Sequence, residues 1–249
     1  QLITRIKRKG KNKKYDCIIG VSGGTDSTYT MYLAKKYGLR PLAVHFDNHW
    51  NSEIARTNMQ NACDALNIDF RSYSVEWNEF RDLQISFLKA SVPEVEIPTD
   101  IGALAIQYKA AVEEDVGYIL NGHSFRMEGM APLAWSNIDG KYILDVHRQH
   151  GKLSLKTFPN LTLWDILDFT FIKNIKIVHI LDYVDYRKKD VQKMLSEEIG
   201  WTNYGGHHLE SLYTRWVANY LHPVKFGIDK RPIEHSAFIR SGLLTREKA

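Results

Sequence analysis

Cysteine is scarce in this chain. Its 249 residues include only Cys17 and Cys63, too few for a disulfide framework or a Cys-x-x-Cys metal site. Such usage fits a reducing compartment. A long apolar run is missing too. The most apolar region, 161–184, is interrupted by Asp165, Asp168, Lys173, Lys176 and Asp182, so neither a signal peptide nor a transmembrane helix is expected, and the expected location is the cytoplasm. No sign of charge dominates: the formal net charge is +4, and most of it can be assigned to RIKRKGKNKK, residues 5–14. That run reads as a solvated basic helix or linker, with a phosphate-bearing partner as the alternative. There is no internal repeat and no low-complexity tract. Because the chain starts at Gln1 rather than at a methionine, residues ahead of it are expected to be missing.

What is present is organised around YDCIIGVSGGTDSTYTMYLAKKYG, residues 15–38. It reads as a buried strand (Cys17 to Val21), a glycine loop, and a helix opening near Ser27 and closing at Gly38. A loop between strand and helix aims the helix's free N–H groups, and the positive end of its dipole, at a concave space that suits an anion. Gly23 and Gly24 allow close backbone approach, Ser22, Thr25 and Ser27 offer hydroxyls, and Asp26 offers a hard oxygen for Mg²⁺. The bland alternative is a polar turn that caps a helix. The string lacks the lysine of a Walker loop and the spacing of a dinucleotide fingerprint. It resembles the SGGxDS signature of the PP-loop ATP pyrophosphatases, which split ATP between its α and β phosphates.

Farther along, LAVHF (Leu42 to Phe46) reads as a second strand and Ile68 to Val75 as a third. Tyr118 to Leu120 reads as a fourth. Helices are expected after the N-cap Ser52, over Asn78 to Ser91, and from about Asp100 to Val116. The expected fold class is α/β: an open parallel sheet with ligands at the carboxyl ends of its strands. Trp135 to Val146, with its Asp139-Gly140 pair, reads as a hairpin. From Leu161 the chain reads helical: Leu163 to Ile172, Ile175 to Leu181, Arg187 to Ile199 and Leu209 to Leu221. The expected division is a basic linker or helix (1–14), an ATP-binding domain (15–150) and a helical C-terminal extension (151–249).

Further polar clusters are expected at the same rim as the loop. Asp47 and Asn48 end the second strand, where a plain turn is the alternative. Pro98-Thr99-Asp100 and NGHSFRMEG supply Asp100, Gly122, His123, Arg126 and Glu128 for nucleotide, metal or substrate. A lone histidine such as His123 is more often packed or capping. His207, His208 and Glu210 stand at a helix start, but their spacing makes a poor zinc site. Lys225, Lys230 and Arg231 suit phosphates, or else form a solvated loop.

Taken in order, VSGGTDS, FDNHWNSE, FRDLQISFLKASVPEVEIPTD, NGHSFRMEGMAPL, LKTFPNLTL, YGGHHLES, KFGIDKR and SGLLTREKA resemble the N-acetyl sugar amidotransferase family of lipopolysaccharide and flagellar sugar biosynthesis. The likeness covers nearly the whole chain. It implies the adenine nucleotide α-hydrolase-like fold, with ATP and Mg²⁺ at Ser22 to Ser27 and adenine at the backbone around Val44 and Phe46. It implies an acetamido group on a nucleotide-linked sugar becoming an acetamidino group, with AMP and pyrophosphate released. Asp26, Lys225, Lys230, Arg231, His208 and Glu210 are the residues expected to act. Ammonia is expected from a separate glutaminase, by way of a barrel-shaped synthase-like subunit. Family members begin with a zinc-ribbon-like segment, so Zn²⁺ would belong ahead of residue 1. Other PP-loop enzymes, such as a tRNA-modifying ligase or thiolase, and a non-catalytic nucleotide sensor remain open.

Overall fold

The computed structural model describes residues 1–126, 139–205 and 210–249. Five parallel strands form one open sheet in the order β3-β2-β1-β4-β5: β1 (Cys17–Gly20), β2 (Pro41–Asp47), β3 (Asp69–Ser74), β4 (Tyr118–Asn121) and β5 (Lys176–His179). The helices are α1 (Leu2–Lys9), α2 (Thr25–Lys36), α3 (Glu53–Leu66), α4 (Trp77–Ala90), α5 (Ile97–Glu113), α6 (Gly140–His150), α7 (Leu163–Leu167), α8 (Lys188–Ile199), α9 (Leu212–Trp216) and α10 (Arg231–Arg240). The fold is the expected open parallel sheet, with a helical C-terminal part.

The central strands are apolar on both faces because each face is covered by helices. Side chains alternate along them. Ile18, Leu42, Val44 and Phe46 join a core with Phe80, Leu83 and Phe87 of α4 and Ile101 of α5. Cys17, Ile19 and Ala43 join the opposite core with Met31, Met59, Leu195 and Trp201. Strand order reverses at β1, since β2 lies on one side of it and β4 on the other. That reversal leaves a crevice at the carboxyl ends of β1 and β4, the usual ligand position in such sheets.

Several expectations need correcting. The segment Ile175 to Leu181 is not a helix: Lys176–His179 pairs in parallel with β4, Ile177 opposite Ile119 and Val178 opposite Leu120. Four residues at a sheet edge are too few for periodicity to separate strand from helix. The Asp139-Gly140 pair makes no hairpin turn. Asp139 caps α6, its carboxylate accepting from Lys141 N–H at 3.0 Å, which is the other use of an aspartate before an apolar-periodic run. The remainder of that expected hairpin, 135–138, lies outside the described residues. Helix α2 begins at Thr25 rather than Ser27, with Gly24 as N-cap, and α5 begins at Ile97, with Pro98 in its first turn, where proline costs no hydrogen bond. The last expected helix begins at Leu212 and continues as π-helix through Val217–Phe226.

Two buried carboxylates on α4 anchor the segment after α6. Glu79 accepts from Thr157 N–H at 2.9 Å and Phe158 N–H at 2.7 Å, and Asp82 accepts from Lys152 and Leu153 N–H at 2.7 and 2.8 Å. Burial pushes the Glu79 carboxyl up, but hydrogen bonds from the 156–158 backbone outweigh it and hold it below the usual range. A depressed carboxyl contributes stability that is complete above the unfolded value of about 4.3 and is lost as pH falls through the lower folded value. The melting temperature is therefore expected to fall in that acid window, and less steeply in Glu79→Gln. Equal slopes in thermal melts would show that Glu79 is not the group responsible.

Candidate active site

The loop Ser22–Ser27 leaves β1 beside α2, and its shape is set by contacts that the sequence alone does not reveal. His45, buried on β2, lies 2.8 Å from the Val21 carbonyl through Nδ1. A carbonyl only accepts, so Nδ1 carries the proton and Nε2 accepts from Asn51 Nδ2 at 2.9 Å. Burial lowers the His45 pKa, which keeps the ring in this neutral form. Gly23 has φ +78, in the region that favours glycine. Its carbonyl is turned into the protein, accepting from Trp201 Nε1 at 3.0 Å and Asn58 Nδ2 at 3.3 Å. Asn58 is fully buried and holds Thr202 by two bonds of 2.8 Å.

In a trans peptide the N–H points opposite to the C=O. Anchoring the Gly23 carbonyl therefore aims the Gly24 N–H into the loop, where Ser22 Oγ accepts it at 3.3 Å. Ser27 Oγ closes the ring, donating to the Gly24 carbonyl at 3.2 Å and accepting from Ser22 N–H at 3.3 Å. These are long bonds, which phosphate oxygens could replace with shorter charged ones. Gly122, after β4, lies against the first turn of α2: a Cβ there would meet Asp26 C at 3.0 Å. Those features fit a phosphate cradle at the crevice.

Asp26 occupies that first turn with its side chain 19% exposed. One oxygen accepts from the Tyr186 hydroxyl, and Lys188 Nζ stands 3.7 Å from the other. Burial foremost, then Asp26, pushes the Tyr186 phenol far up, so it remains a donor. Gln192 Nε2 reaches Thr25 Oγ1 at 3.2 Å. The carboxylate fits Mg²⁺, which is commonly held by one or two carboxylates and by substrate phosphates. Among the described residues, no three His, Cys, Asp or Glu side chains are grouped to hold a metal.

The other expected residues are distributed unevenly. Asp47 accepts from His49 N–H at 3.0 Å and Ser74 Oγ at 3.2 Å, and Asn48 Nδ2 donates to Thr99 Oγ1 at 3.3 Å. Asp100 follows Thr99 on α5. The Val44 carbonyl already accepts Val21 N–H at 2.9 Å. Phe46 lies past Val44, the last β2 residue paired with β1. Glu210 comes to the loop, accepting from Ser22 Oγ at 3.4 Å, while its backbone carbonyl accepts Ser52 N–H at 2.9 Å. His123 N–H donates to Asn121 Oδ1 at 2.9 Å; Arg126 Nη1 reaches the Val184 carbonyl at 3.5 Å. The basic group has its contacts elsewhere. Lys230 pairs with Glu94 at 3.2 Å, Arg231 with Asp229 at 2.6 Å, and Lys225 reaches the Leu88 carbonyl at 3.5 Å. Glu128 and His208 lie outside the described residues.

Sequence reading missed His45, Asn58, Tyr186, Lys188 and Trp201. A signal existed only for Lys188, in the basic run Arg187-Lys188-Lys189 that opens α8, and nothing local tied that run to Asp26. Both cysteines are buried, and burial pushes the Cys17 thiol up strongly and the Cys63 thiol up to about 11.

Residues 210–249 match the family model described as LPS biosynthesis protein WbpG-like, C-terminal domain. The chain is 40% identical over 73 residues to a 7-cyano-7-deazaguanine synthase from Campylobacter jejuni, a match covering 29% of this chain and 31% of that protein. It is 27% identical over 122 residues to a probable mitochondrial tRNA-specific 2-thiouridylase from Caenorhabditis elegans, covering 43% and 32%. The chain thus spans about a third of the length of the curated relatives it matches. Similar solved structures include the U34-tRNA thiolase NcsA from Methanococcus maripaludis (TM-score 0.43, 13% identity, 96% and 77% covered). Another is an NH₃-dependent NAD synthetase from Campylobacter jejuni (TM-score 0.41, 14% identity, 79% and 80% covered).

Proposed function

We propose that the chain is an ATP-dependent N-acetyl sugar amidotransferase that converts an acetamido group of a nucleotide-linked sugar to an acetamidino group. The observation that carries this reading is the joining of two parts. Glu210 opens the segment similar to the WbpG-like domain, and it touches Ser22 of the phosphate loop.

An amide oxygen is a poor leaving group, and ATP provides a better one. The amide oxygen attacks the α-phosphorus, the bond to pyrophosphate breaks, and an O-adenylyl imidate forms. Ammonia then attacks the imidate carbon, and AMP departs with the electrons of the C–O bond. The Gly24 N–H, the hydroxyls of Ser22, Thr25 and Ser27, and the α2 dipole would hold the departing pyrophosphate. Mg²⁺, when bound at Asp26, supplies positive charge to phosphate oxygens. Lys188 would face the same phosphates. Phe46 and Asn48 would border the adenosine, with Asp100, His123 and Arg126 toward the sugar nucleotide.

Ammonia would come from a separate glutaminase, in keeping with two cysteines too buried to act as nucleophiles. No helix among the described residues is long and apolar enough to cross a membrane. The test is to incubate the protein with ATP, Mg²⁺, ammonium chloride and UDP-, GDP- or CMP-linked acetamido sugars. Mass spectrometry should show one sugar nucleotide losing O and gaining NH in step with AMP. AMP release that depends on tRNA instead, or formation of ADP, would overturn the assignment.

A further inference from the structure

At the opposite end of the sheet from the phosphate loop lies a basic cavity of about 420 Å³. Arg5, Arg8 and Lys9 of α1 line it together with Tyr118 and Lys176, which face each other at the start of β4 and β5. Parallel strands all begin at one end, so the cavity and the crevice are separated by the length of β4, about 13 Å. The reaction proposed above makes no use of it. Helix α1 is packed in place. Ile6 is fully buried in the same core as Cys17 and Ile19, and Arg40 donates to the carbonyls of Gly10 and Lys13 at 2.7 Å while it pairs with Asp16. Residues 5, 8 and 9 are three and four apart and so share one face of the helix. The Lys9 stem crosses Gly117, where an added Cβ would meet Cε at 2.1 Å, and its Nζ donates to the Asn174 carbonyl.

The cavity is unbalanced in charge. No carboxylate lines it, and among the described residues the side chains of Arg5, Arg8 and Lys176 make no hydrogen bond or ion pair. Farther along the same basic run the cations are matched, Lys13 to Asp115 at 2.7 Å and Lys14 to Asp69 at 3.0 Å. The excess charge is thus gathered at one concave place rather than spread along a track. Lys9 shows the crowding: burial foremost, then Lys13 and Lys176, lower its pKa against the opposing pull of Asp115. The negative end of the α1 dipole accounts for Arg8 and Lys9, which lie in the last turn. It does not account for Arg5, which lies before that turn, or for Lys176, which arrives from another element. Like charges that two elements bring together against their repulsion suit an anion. Two guanidinium forks and two ammonium groups match adjacent phosphates, whereas a single carboxylate would leave most of their donors unmet.

We propose that this cavity is a second phosphate site, which takes a diphosphate group apart from the ATP held in the crevice. Free pyrophosphate and the diphosphate of a nucleotide share that chemistry, and the volume is within the range of small-molecule sites. Arg5 and Arg8 supply the paired donors, and Lys176 with the remaining donors of Lys9 neutralises the outer oxygens. A nucleic-acid strand needs instead a basic groove that follows several phosphates, and the pairing of Lys13 and Lys14 with carboxylates interrupts one. Binding here does not depend on which reaction the phosphate loop performs.

The test titrates the full chain with sodium pyrophosphate by calorimetry, in buffer without Mg²⁺, so that the bare Asp26 carboxylate disfavours an anion at the phosphate loop. The variant combines Arg8→Gln and Lys176→Gln, both exposed and both remote from the crevice. With repulsion relieved, its melting temperature without ligand should equal or exceed that of the wild type. Its affinity for pyrophosphate should be on the order of 10²-fold lower, and the rise in melting temperature that pyrophosphate gives the wild type should vanish. Arg5→Gln alone, at a different turn of α1, should weaken binding about tenfold and so checks the result independently. UDP separates the sources: tighter binding of UDP than of pyrophosphate assigns the site to a nucleotide, and the reverse assigns it to the free anion. Identical isotherms in wild type and variants overturn the proposal. So does a wild type that binds neither diphosphate, and RNA binding that the variants lose in its place would make this face a nucleic-acid contact.

Discussion

Replacing Asp26 by alanine is expected to lower conversion of ATP to AMP and pyrophosphate on the order of 10³-fold or more, leaving the fold in place. The carboxylate is the one acidic side chain in the first turn of α2, where the Gly24 N–H and the loop hydroxyls converge. Its loss would leave charge on the departing pyrophosphate without its metal. The structural cost is small, because the side chain is partly exposed and only the Tyr186 hydroxyl gives up a direct hydrogen bond. About 1 kcal/mol is expected. Asp26→Asn separates charge from shape. It can still accept from Tyr186, so an equal loss of AMP formation in both variants assigns the effect to the negative charge. AMP formation at the wild-type rate in Asp26→Ala would remove Asp26 from the metal site.

Gly23→Val should be the most damaging substitution in the loop for stability. A Cβ at residue 23 would come 2.2 Å from the Ala55 carbonyl oxygen, and the backbone has φ +78. Positive φ in a β-branched residue and a forced shift of packed backbone together cost about 3 kcal/mol or more. The shift also pulls the Gly23 carbonyl from Trp201 and Asn58, so the Gly24 N–H would lose its aim and nucleotide affinity would fall with stability. Gly227→Ala is the control. Gly227 has φ +64 but nothing within 4 Å of an added Cβ, so only the strain remains, about 1 kcal/mol. Urea melts giving the two variants the same loss would show that the approach to Ala55 is not what requires glycine at 23.

Lys225, Lys230 and Arg231 show how much a cluster of cations leaves to the fold. Three cations within seven residues suggest a phosphate site, yet Lys230 and Arg231 are matched to Glu94 and Asp229. A charge's role depends on which partner the fold delivers. Lys188, which the sequence did not tie to the loop, is a lysine that approaches Asp26.

From the sequence alone one could read the alternation of strands and helices through β4 and the glycine-serine loop between β1 and α2. Both rest on local physics: period-two and period-3.6 apolar patterns, and a glycine-serine string between a strand and a helix. The tertiary structure alone decided that Lys176–His179 is an edge strand, since its state depends on β4 being beside it. It also decided which residues shape the loop. His45, Asn58, Tyr186 and Trp201 act on it across 24 to 178 residues of chain, and hydrogen bonds over such separations leave no periodic or compositional trace.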